Sequence, residues 1–285
     1  MKRLLVLAAA TLFSLALAAA PARADDWSKT YQINGRADLH VVTDDGAVYI
    51  VSADQSQIDV KVTTVGYKIG SSDVHIDESQ NGNQVTLSVR VPHFNWSFFG
   101  VHNRSIRVDL RVPRDLDLNV RTGDGDINAQ PVSGRIHFDT GDGNILANGL
   151  KGDLSMHTGD GRIEAYSLDG SLHADTGDGR VSIGGRFDAL DLRSGDGSIE
   201  AQAFSGSRIT DSWNINTGDG HVNLRIPSDL QAELNAHTGD GSITLDLPIT
   251  VSGSLTNSSV RGKLNGGGGE LRITSGDGSI HLAKL

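Results

Sequence analysis

The fold is decided by a phrase that returns five times between residues 119 and 200. Its copies are RTGDGDI at 121–127, DTGDGNI at 139–145, HTGDGRI at 157–163, DTGDGRV at 175–181 and RSGDGSI at 193–199. The central aspartates follow one another at intervals of 18 residues; they are Asp124, Asp142, Asp160, Asp178 and Asp196. A fixed short period of this kind predicts a stacked-repeat architecture.

Apolar and polar residues alternate on both sides of each phrase. Leu154 and Met156 precede the turn at Asp160, for example, and Ile163 and Ala165 follow it. A period of two is typical of a half-buried strand. Two strands of about five residues and two turns fill an 18-residue coil and leave no room for a helix. We therefore predict an all-β, single-domain parallel β-solenoid, similar to a β-helix, with about 18 residues per coil and Gly-Asp-Gly turns.

A second arrangement is compatible with the same phrases. Asp-Gly between alternating strands is a strong hairpin signal, so an antiparallel meander competes with the solenoid. The repeat favours the solenoid because it places Leu over Leu and Ile over Ile, as in-register parallel stacking requires.

The glycines of the phrase are predicted to be structural turn residues with positive φ. The aspartate would bond its own backbone, and the Thr or Ser before the first glycine would form a stacked row of hydroxyls that closes the turn. The predicted turn glycines are Gly123, Gly125, Gly141, Gly143, Gly159, Gly161, Gly177 and Gly179.

Further copies extend the repeat towards both termini. An early copy contains Asp44, and three later ones contain Asp219, Asp240 and Asp277. The last interval is close to two periods and predicts a degenerate copy around Asn257. We divide the chain into a signal peptide (1–24), N-terminal β-coils and a cap (25–112) and the regular repeat (113–285), the last two being continuous.

The N-terminus has the pattern of a secretory signal peptide. Lys2 and Arg3 precede an apolar run, and Ala22-Arg23-Ala24 has the form of a cleavage site, so the mature chain would begin near Asp25. The apolar run is too short to predict a transmembrane segment, and the chain has no Cys. These features predict a bacterial protein exported to the periplasm, the cell surface or the medium.

The charge of the chain argues against nucleic acid as a partner. The sequence has 35 acidic and 25 basic residues and a net charge of −10, and removal of the signal peptide would make it more negative. Nucleic-acid binding requires clustered positive charge.

One aromatic segment interrupts the pattern. Residues 92–103 contain Phe94, Trp96, Phe98 and Phe99 in a chain that is otherwise poor in aromatic residues. The segment could dock a partner, a glycan or a membrane surface. It could equally fold over the first coil as the cap that solenoids need.

Two groups of residues are candidates for metal binding. Asp124, Asp142, Asp160, Asp178 and Asp196 would form a vertical row of carboxylates, which must face solvent or bind cations, so they are candidate calcium ligands. His137, His157 and His173 would share an outer face on three successive coils, within reach of zinc. Against both, the Gly-Asp-Gly phrase is explained as a tight turn, and a polar face commonly carries histidine.

Catalytic residues are not predicted. The sequence lacks a Cys nucleophile and the GxSxG, HExxH and P-loop motifs, and a residue repeated in one column is structural by its multiplicity. The nearest enzyme class would be carbohydrate-active enzymes on β-helices. Its best cluster here, Arg162 and Arg180 beside Glu164 and Glu200, is better explained as a salt-bridge ladder.

The chain resembles a family of secreted bacterial proteins known as putative adhesins. The resemblance covers nearly all of the mature chain and rests on the TGDG phrases, the signal peptide and the ending RGKLNGGGGELRITSGDGSIHL (261–282). It implies a β-solenoid domain of unknown function with no catalytic residues or cofactors to assign. We therefore predict a non-enzymatic envelope protein that binds a cell-surface or envelope protein or glycan. The alternatives are a carbohydrate-active enzyme and a calcium-stabilised structural module.

Overall fold

The computed structural model describes residues 24–70, 73–91, 104–251 and 256–285. These residues form strands and connecting turns, and no helix long and apolar enough to cross a membrane occurs among them. The strands are β1 Ala24–Gln32, β2 Ala37–Thr43, β3 Ala47–Ala53, β4 Gln57–Val65, β5 His75–Asn81, β6 Gln84–Arg90, β7 Ser105–Pro113, β8 Leu116–Thr122, β9 Ile127–Ala129, β10 Ser133–Thr140, β11 Ile145–Asn148, β12 Lys151–Thr158, β13 Ile163–Thr176, β14 Val181–Ser194, β15 Ile199–Ala203, β16 Ser212–Thr217, β17 Val222–Ile226, β18 Ala232–Thr238, β19 Ile243–Asp246, β20 Thr250–Val251, β21 Ser259–Leu264, β22 Gly269–Ser275 and β23 Ile280–Lys284.

Copies of the repeat lie side by side and run in the same direction. Before the turn, Leu154 pairs with Ile136 on one side and with Leu172 on the other, in parallel register. After the turn, Ile163 pairs with Ile145 and with Val181 in the same way. We call the strands before the turns the first ladder and those after them the second ladder. The all-β prediction is confirmed, and the antiparallel meander does not occur between these copies.

Both ends depart from the predicted parallel pattern. At the N-terminal end β4 pairs antiparallel with β1 and β7, and β5 pairs antiparallel with β6. At the C-terminal end β21 pairs antiparallel with β18 and β20. A wholly parallel solenoid is therefore not what the chain forms. An exposed strand edge invites pairing with another chain, and these reversed strands cover edges of the stack.

The order of the strands in space differs from their order in the chain. The last copy, β22 and β23, lies between β16 and β17 on one side and β18 and β19 on the other. In the same way β2 and β3 lie between the pair β6 and β7 and the pair β8 and β9. The predicted degenerate copy around Asn257 is present only in part. The Asn257 carbonyl accepts a hydrogen bond from the Ile243 amide, as equivalent residues do between other copies, but β21, which follows it, pairs antiparallel with β18 and does not form a parallel coil.

The apolar columns of both ladders form one continuous core. Fully buried members include Leu39, Ile127, Phe138 and Ile163. The largest side chain, Trp213, packs edge to face against Phe187, with ring centroids 6.4 Å apart. Because each strand buries only one face, a single copy has little core of its own, and most of the burial arises between neighbouring copies.

The turn glycines are required by close packing, and the prediction of positive φ for them is wrong. A Cβ added to Gly161 would lie 2.0 Å from the carbonyl oxygen of Gly143 in the neighbouring turn. Positive φ occurs instead in a second glycine column, at the opposite corner of the coil, with Gly134, Gly152 and Gly170 at φ 135°, 112° and 134°. Sequence spacing alone does not distinguish these two reasons for glycine.

We expect Gly161→Ala to destabilise the protein by about 3 kcal/mol, because the methyl group would meet backbone that cannot move without separating two turns. The exposed tip residue provides the matched control, since Asp160→Ala should change stability by no more than about 0.5 kcal/mol. Urea unfolding measures both. Equal stability of the two variants would contradict the packing argument.

Candidate functional site

The predicted hydroxyl row is present and closes the turns. The Thr158 side chain is fully buried; its hydroxyl accepts the amide proton of Gly161 (3.2 Å) and donates to the carbonyl of Gly143 in the next turn (2.8 Å). The same two bonds recur in other copies at Thr122, Thr140, Thr176, Ser194, Thr217, Thr238 and Ser275. Each hydroxyl thus ties its own turn and joins it to the neighbouring one.

The five aspartates of the row are exposed at the tips of the turns. Each carboxylate lies beside the first glycine of the next turn; Asp142 Oδ1, for example, would be 3.4 Å from a Cβ at Gly159. In the described chain the aspartates do not bond their own turns as predicted, because the hydroxyl row takes that role. No group of three or more His, Cys, Asp or Glu residues in these ranges is arranged to hold a metal. Calcium binding by Asp124, Asp142, Asp160, Asp178 and Asp196 stays a prediction.

The three histidines lie on the outer face of the first ladder. Ser155 stands between His137 and His173 in the register, so these two rings belong to strands about 9.6 Å apart. His157 and His173 bind Asp175 and Asp191 at 3.1 and 3.0 Å, and His137 contacts Ser155 at 3.2 Å. Burial lowers the pKa of His137, although Asp139 opposes the shift. The structure pairs these histidines with neighbouring side chains and does not bring the three together.

The arginines and glutamates considered as a catalytic cluster form ion pairs. Arg162 binds Glu164 at 2.8 Å, and Arg180 lies 3.5 Å from Glu200 on the neighbouring strand. All four side chains are largely exposed. Only the second pair joins neighbouring strands, so the predicted cross-strand salt-bridge ladder forms in part.

The aromatic segment lies outside the described residues, and with it Phe94, Trp96, Phe98 and Phe99. The strands on either side of it are described: β6 belongs to the first ladder beside β2, and β7 to the second beside β3. The segment therefore connects the two ladders where other copies have a Gly-Asp-Gly turn. The amide of Val91 donates to the Asp44 carboxylate at 2.7 Å, which joins this connection to the adjacent turn.

Shallow cavities follow the outer face of the first ladder. Three of them, of about 440, 420 and 440 Å³, lie around Asp117, His173 and Asn235 respectively. Asp117 binds Arg135 at 2.6 Å and Arg36 at 2.8 Å. Hydrogen bonds from Arg135, followed by those from Arg36, lower the pKa of Asp117 from 3.8 to about 2 although burial opposes the shift.

A larger cavity, of about 700 Å³, lies on the outer face of the second ladder at its N-terminal end. Its floor is made by five neighbouring strands in the order β1, β4, β7, β3 and β9. We call it the N-terminal groove. Its polar and charged lining comprises Ser28, Lys29, Thr30, Tyr49, Asp59, Lys61, Arg107, Asp109, Arg111, Asn128 and Gln130.

The strand register explains how these side chains meet. Asp59 lies opposite Thr30 on β1 and opposite Arg111 on β7. One row further, Asp109 lies opposite Lys61, and Tyr49 lies opposite Asn128. Residues that lie directly opposite each other on neighbouring strands point to the same face of the sheet. Distant parts of the chain therefore contribute side chains to one surface.

Most cations at the N-terminal groove are already paired. Lys29 lies opposite the buried Val60, so its side chain is on the other face of β1, where it binds Glu78. Lys61 binds Asp26, and Arg107 binds Asp109. Arg111 is the lining cation that has no ion pair among the described residues, in a chain with a net charge of −10.

Sequence reasoning missed this groove. Lys61, Arg107 and Arg111 occur in alternating strands that read as ordinary surface, and Tyr49 is 58 residues from Arg107. The available signal was an Arg-Val-Asp-Leu-Arg run at 107–111, which places two cations on one face. Only the reversed strand β4 and the insertion of β3 beside β7 bring the parts together.

Comparison with known proteins identifies the fold family. The model of the Toastrack DUF4097 family matches residues 37–283. No curated protein matches the chain. A crystal structure of a putative lipid binding protein from Parabacteroides distasonis has 14% identity and a TM-score of 0.50 and covers 92% of this chain and 98% of its own.

Two other solved structures are similar at lower TM-scores. A putative adhesin from Parabacteroides merdae has 11% identity and a TM-score of 0.41, covering 90% of this chain and 95% of its own. A putative cell adhesion protein from Clostridium sporogenes has 14% identity and a TM-score of 0.32, covering 92% and 100%. The family match over residues 37–283 confirms the resemblance to the putative adhesin family, and the low identities to the solved structures support likeness of fold alone.

We expect Thr158→Val to cost about 1–3 kcal/mol, because it leaves the Gly161 amide and the Gly143 carbonyl buried without their partner. Thr158→Ser is the matched control, since Ser194 and Ser275 make the same bonds in other copies. In thermal unfolding, the Thr158→Ser variant should have a melting temperature near that of the wild type, and the Thr158→Val variant should have a clearly lower one. A Val variant as stable as the Ser variant would remove the hydroxyl row from the account of stability.

The ion pairs of Asp117 should contribute stability only where its carboxylate is ionised. Because the folded pKa is about 2 and the ordinary value 3.8, this stability is present above pH 3.8 and is lost as the pH falls to about 2. Asp117→Asn should therefore lower the free energy of unfolding at pH 7 by about 0.5–1 kcal/mol and have little effect near pH 2. Urea unfolding across this range tests the effect; a deficit that stays constant down to pH 2 would contradict it.

Proposed function

We propose that this chain, which belongs to the Toastrack DUF4097 family, is a non-enzymatic, adhesin-like binding protein of the bacterial cell envelope. It presents a rigid β surface to a cell-surface or envelope protein or glycan. The observation that carries the proposal is the N-terminal groove, a concave and charged surface at one end of a stack of hydrogen-bonded strands. Concave sites with a few converging polar groups are the usual form of ligand sites.

The scaffold behind the groove supports a binding role. We propose a β-solenoid of about 18 residues per coil that runs through residues 25–112 and 113–285 as one unit. The parallel register of residues 18 apart in β10, β12 and β13 supports this, as does the hydroxyl row between successive turns. Sites built on regular strands hold their side chains more rigidly than sites built on loops.

The state of the carboxylates in the groove favours binding over acid-base catalysis. Burial would raise the pKa of Asp59, but hydrogen bonds from Thr30, Gln57 and Gln55 outweigh it, so the pKa is lowered. Asp109 is bound by Arg107 through contacts of 2.7–3.0 Å. A general acid at neutral pH needs a raised pKa, whereas the pKa of Asp59 is lowered.

We further propose export through residues 1–24 and a mature chain that begins near Asp25. The structural relatives named as adhesins favour a surface or secreted location. Residues 92–103 are proposed as a second binding element, with Phe94, Trp96, Phe98 and Phe99 as its contacts. Support comes from Val91, the last described residue before this segment, whose amide donates to the Asp44 carboxylate at the N-terminal end of the stack.

The proposal is tested by retention of the purified mature chain on isolated bacterial sacculi and outer-membrane vesicles. We expect the wild type to be retained on one of these materials and a variant with residues 92–103 replaced by Gly-Asp-Gly to be retained at least threefold less. This replacement gives the connection the turn found in other copies, so the stack is preserved. Circular dichroism checks the fold of both proteins.

Two results would change the proposal. Equal retention of both proteins would remove residues 92–103 as a binding determinant while leaving envelope binding intact. Failure of the folded wild type to be retained on either material would overturn the proposed function.

A further inference from the structure

We infer that the N-terminal groove binds an acidic saccharide, and that Arg111 holds its carboxylate. This inference rests on the proposed function and names the ligand class of the same site. It combines three observations: a guanidinium without an ion pair, a stacked aromatic surface, and amides without partners on the opposite wall.

Arg111 is placed to receive an external carboxylate. Its nearest acidic neighbour in the register is Asp59, whose two oxygens already accept four hydrogen bonds, from Thr30, twice from Gln57, and from Gln55. A carboxylate offers about four lone-pair positions, so those of Asp59 are occupied. Within the described ranges no carboxylate lies within 4.0 Å of the exposed Arg111 guanidinium, whose fork matches a carboxylate bidentately.

The floor of the groove offers a flat, rigid surface next to this cation. The guanidinium of Arg107 stacks on the ring of Tyr49 at 3.7 Å and is held from the side by Asp109. Stacking on Tyr49 uses one face of the planar Arg107 guanidinium and leaves its second face without a stacking partner. The flat face of a pyranose ring can pack against this second face, whereas a small inorganic anion would gain no such contact.

The opposite wall supplies neutral hydrogen-bonding groups. Asn128 and Gln130 come from β9 and the residue after it, and their side-chain amides make no hydrogen bond with other described residues. An amide can donate and accept at once, which suits the hydroxyl groups of a sugar. Ser28 adds a hydroxyl on the far side of the groove.

The volume and the charge of the N-terminal groove restrict the class of ligand further. A volume of about 700 Å³ lies in the range of sites for small organic ligands and far exceeds that of a single ion. The exposed Arg111 guanidinium, which has no ion pair among the described residues, favours an anionic ligand over a neutral one. A short oligosaccharide with carboxylate groups meets both conditions.

The test is calorimetric titration of the mature chain with a panel of acidic oligosaccharides: trigalacturonic acid, a hyaluronan tetrasaccharide and sialyllactose. The fully methyl-esterified trigalacturonate is the neutral control of the same shape. We expect at least one acidic member to bind, its neutral counterpart to bind at least tenfold more weakly, and affinity to fall as salt increases.

The matched variants are Arg111→Gln and Arg193→Gln. The first should weaken binding of the acidic ligand at least tenfold, while the second changes an exposed arginine on the first ladder, paired with Asp191, and should have no effect. Loss of binding only in Arg111→Gln supports the assignment, because both positions are exposed and the fold should tolerate both changes.

Several outcomes would overturn the inference. They are equal binding of the acidic and esterified trimers, unchanged binding by Arg111→Gln, displacement of the oligosaccharide by inorganic phosphate at equal concentration, or no binding of any panel member. If the wild type is still retained on envelope material in these cases, the ligand class is wrong and the proposed function stands. If retention also fails, both are wrong.

Discussion

The whole structure depends on how closely one turn can approach the next. Strands at parallel spacing lie about 4.8 Å apart, and a turn that joins two such ladders must keep the same spacing as the strands. The second glycine of each turn makes this possible, since any Cβ there would strike the neighbouring carbonyl. The buried hydroxyl then uses the short distance to bond both turns. Aspartate at the tip, by contrast, is exposed to solvent and makes no hydrogen bond to its own turn in the described chain.

Because backbone contacts of this kind hold the stack together, the side chains on its outer faces can differ from one copy of the repeat to the next. The outer face of the first ladder is filled with ion pairs and histidine contacts that satisfy one another. The second ladder has a similar pattern in its middle, where arginines and glutamates pair. Where β1 and β4 turn back beside β7, the face becomes concave and contains Arg111, which has no ion pair among the described residues. The geometry that closes the end of the stack thus also creates the N-terminal groove.

The sequence determined some of these features and not others. Columns such as Leu154 over Leu172 follow from periodicity alone, because a strand has a side-chain period of two and the repeat has a constant length. The reason for glycine at Gly161 did not follow, because close approach and positive φ both select glycine. The position in the stack of the copy that contains Asp277 could not be predicted from the sequence either, because equivalent copies can pair with any neighbour of matching register. The groove depended on these placements: Arg107 and Tyr49 meet only because β3 lies inside the stack, beside β7.

The insertion of β22 and β23 between strands that precede them in the chain has a consequence for folding during synthesis. β22 and β23 are synthesised after β16–β19, yet they occupy an interior layer between them. Residues 212–246 therefore cannot reach their final pairing by adding layers in the order of synthesis, and must either stay apart or open to admit β22 and β23. Closure of this part is a late, long-range event, and such events are slow in β proteins. A chain that stops short of Gly269 would lack a middle layer, so truncation would leave a gap and not a shorter rod.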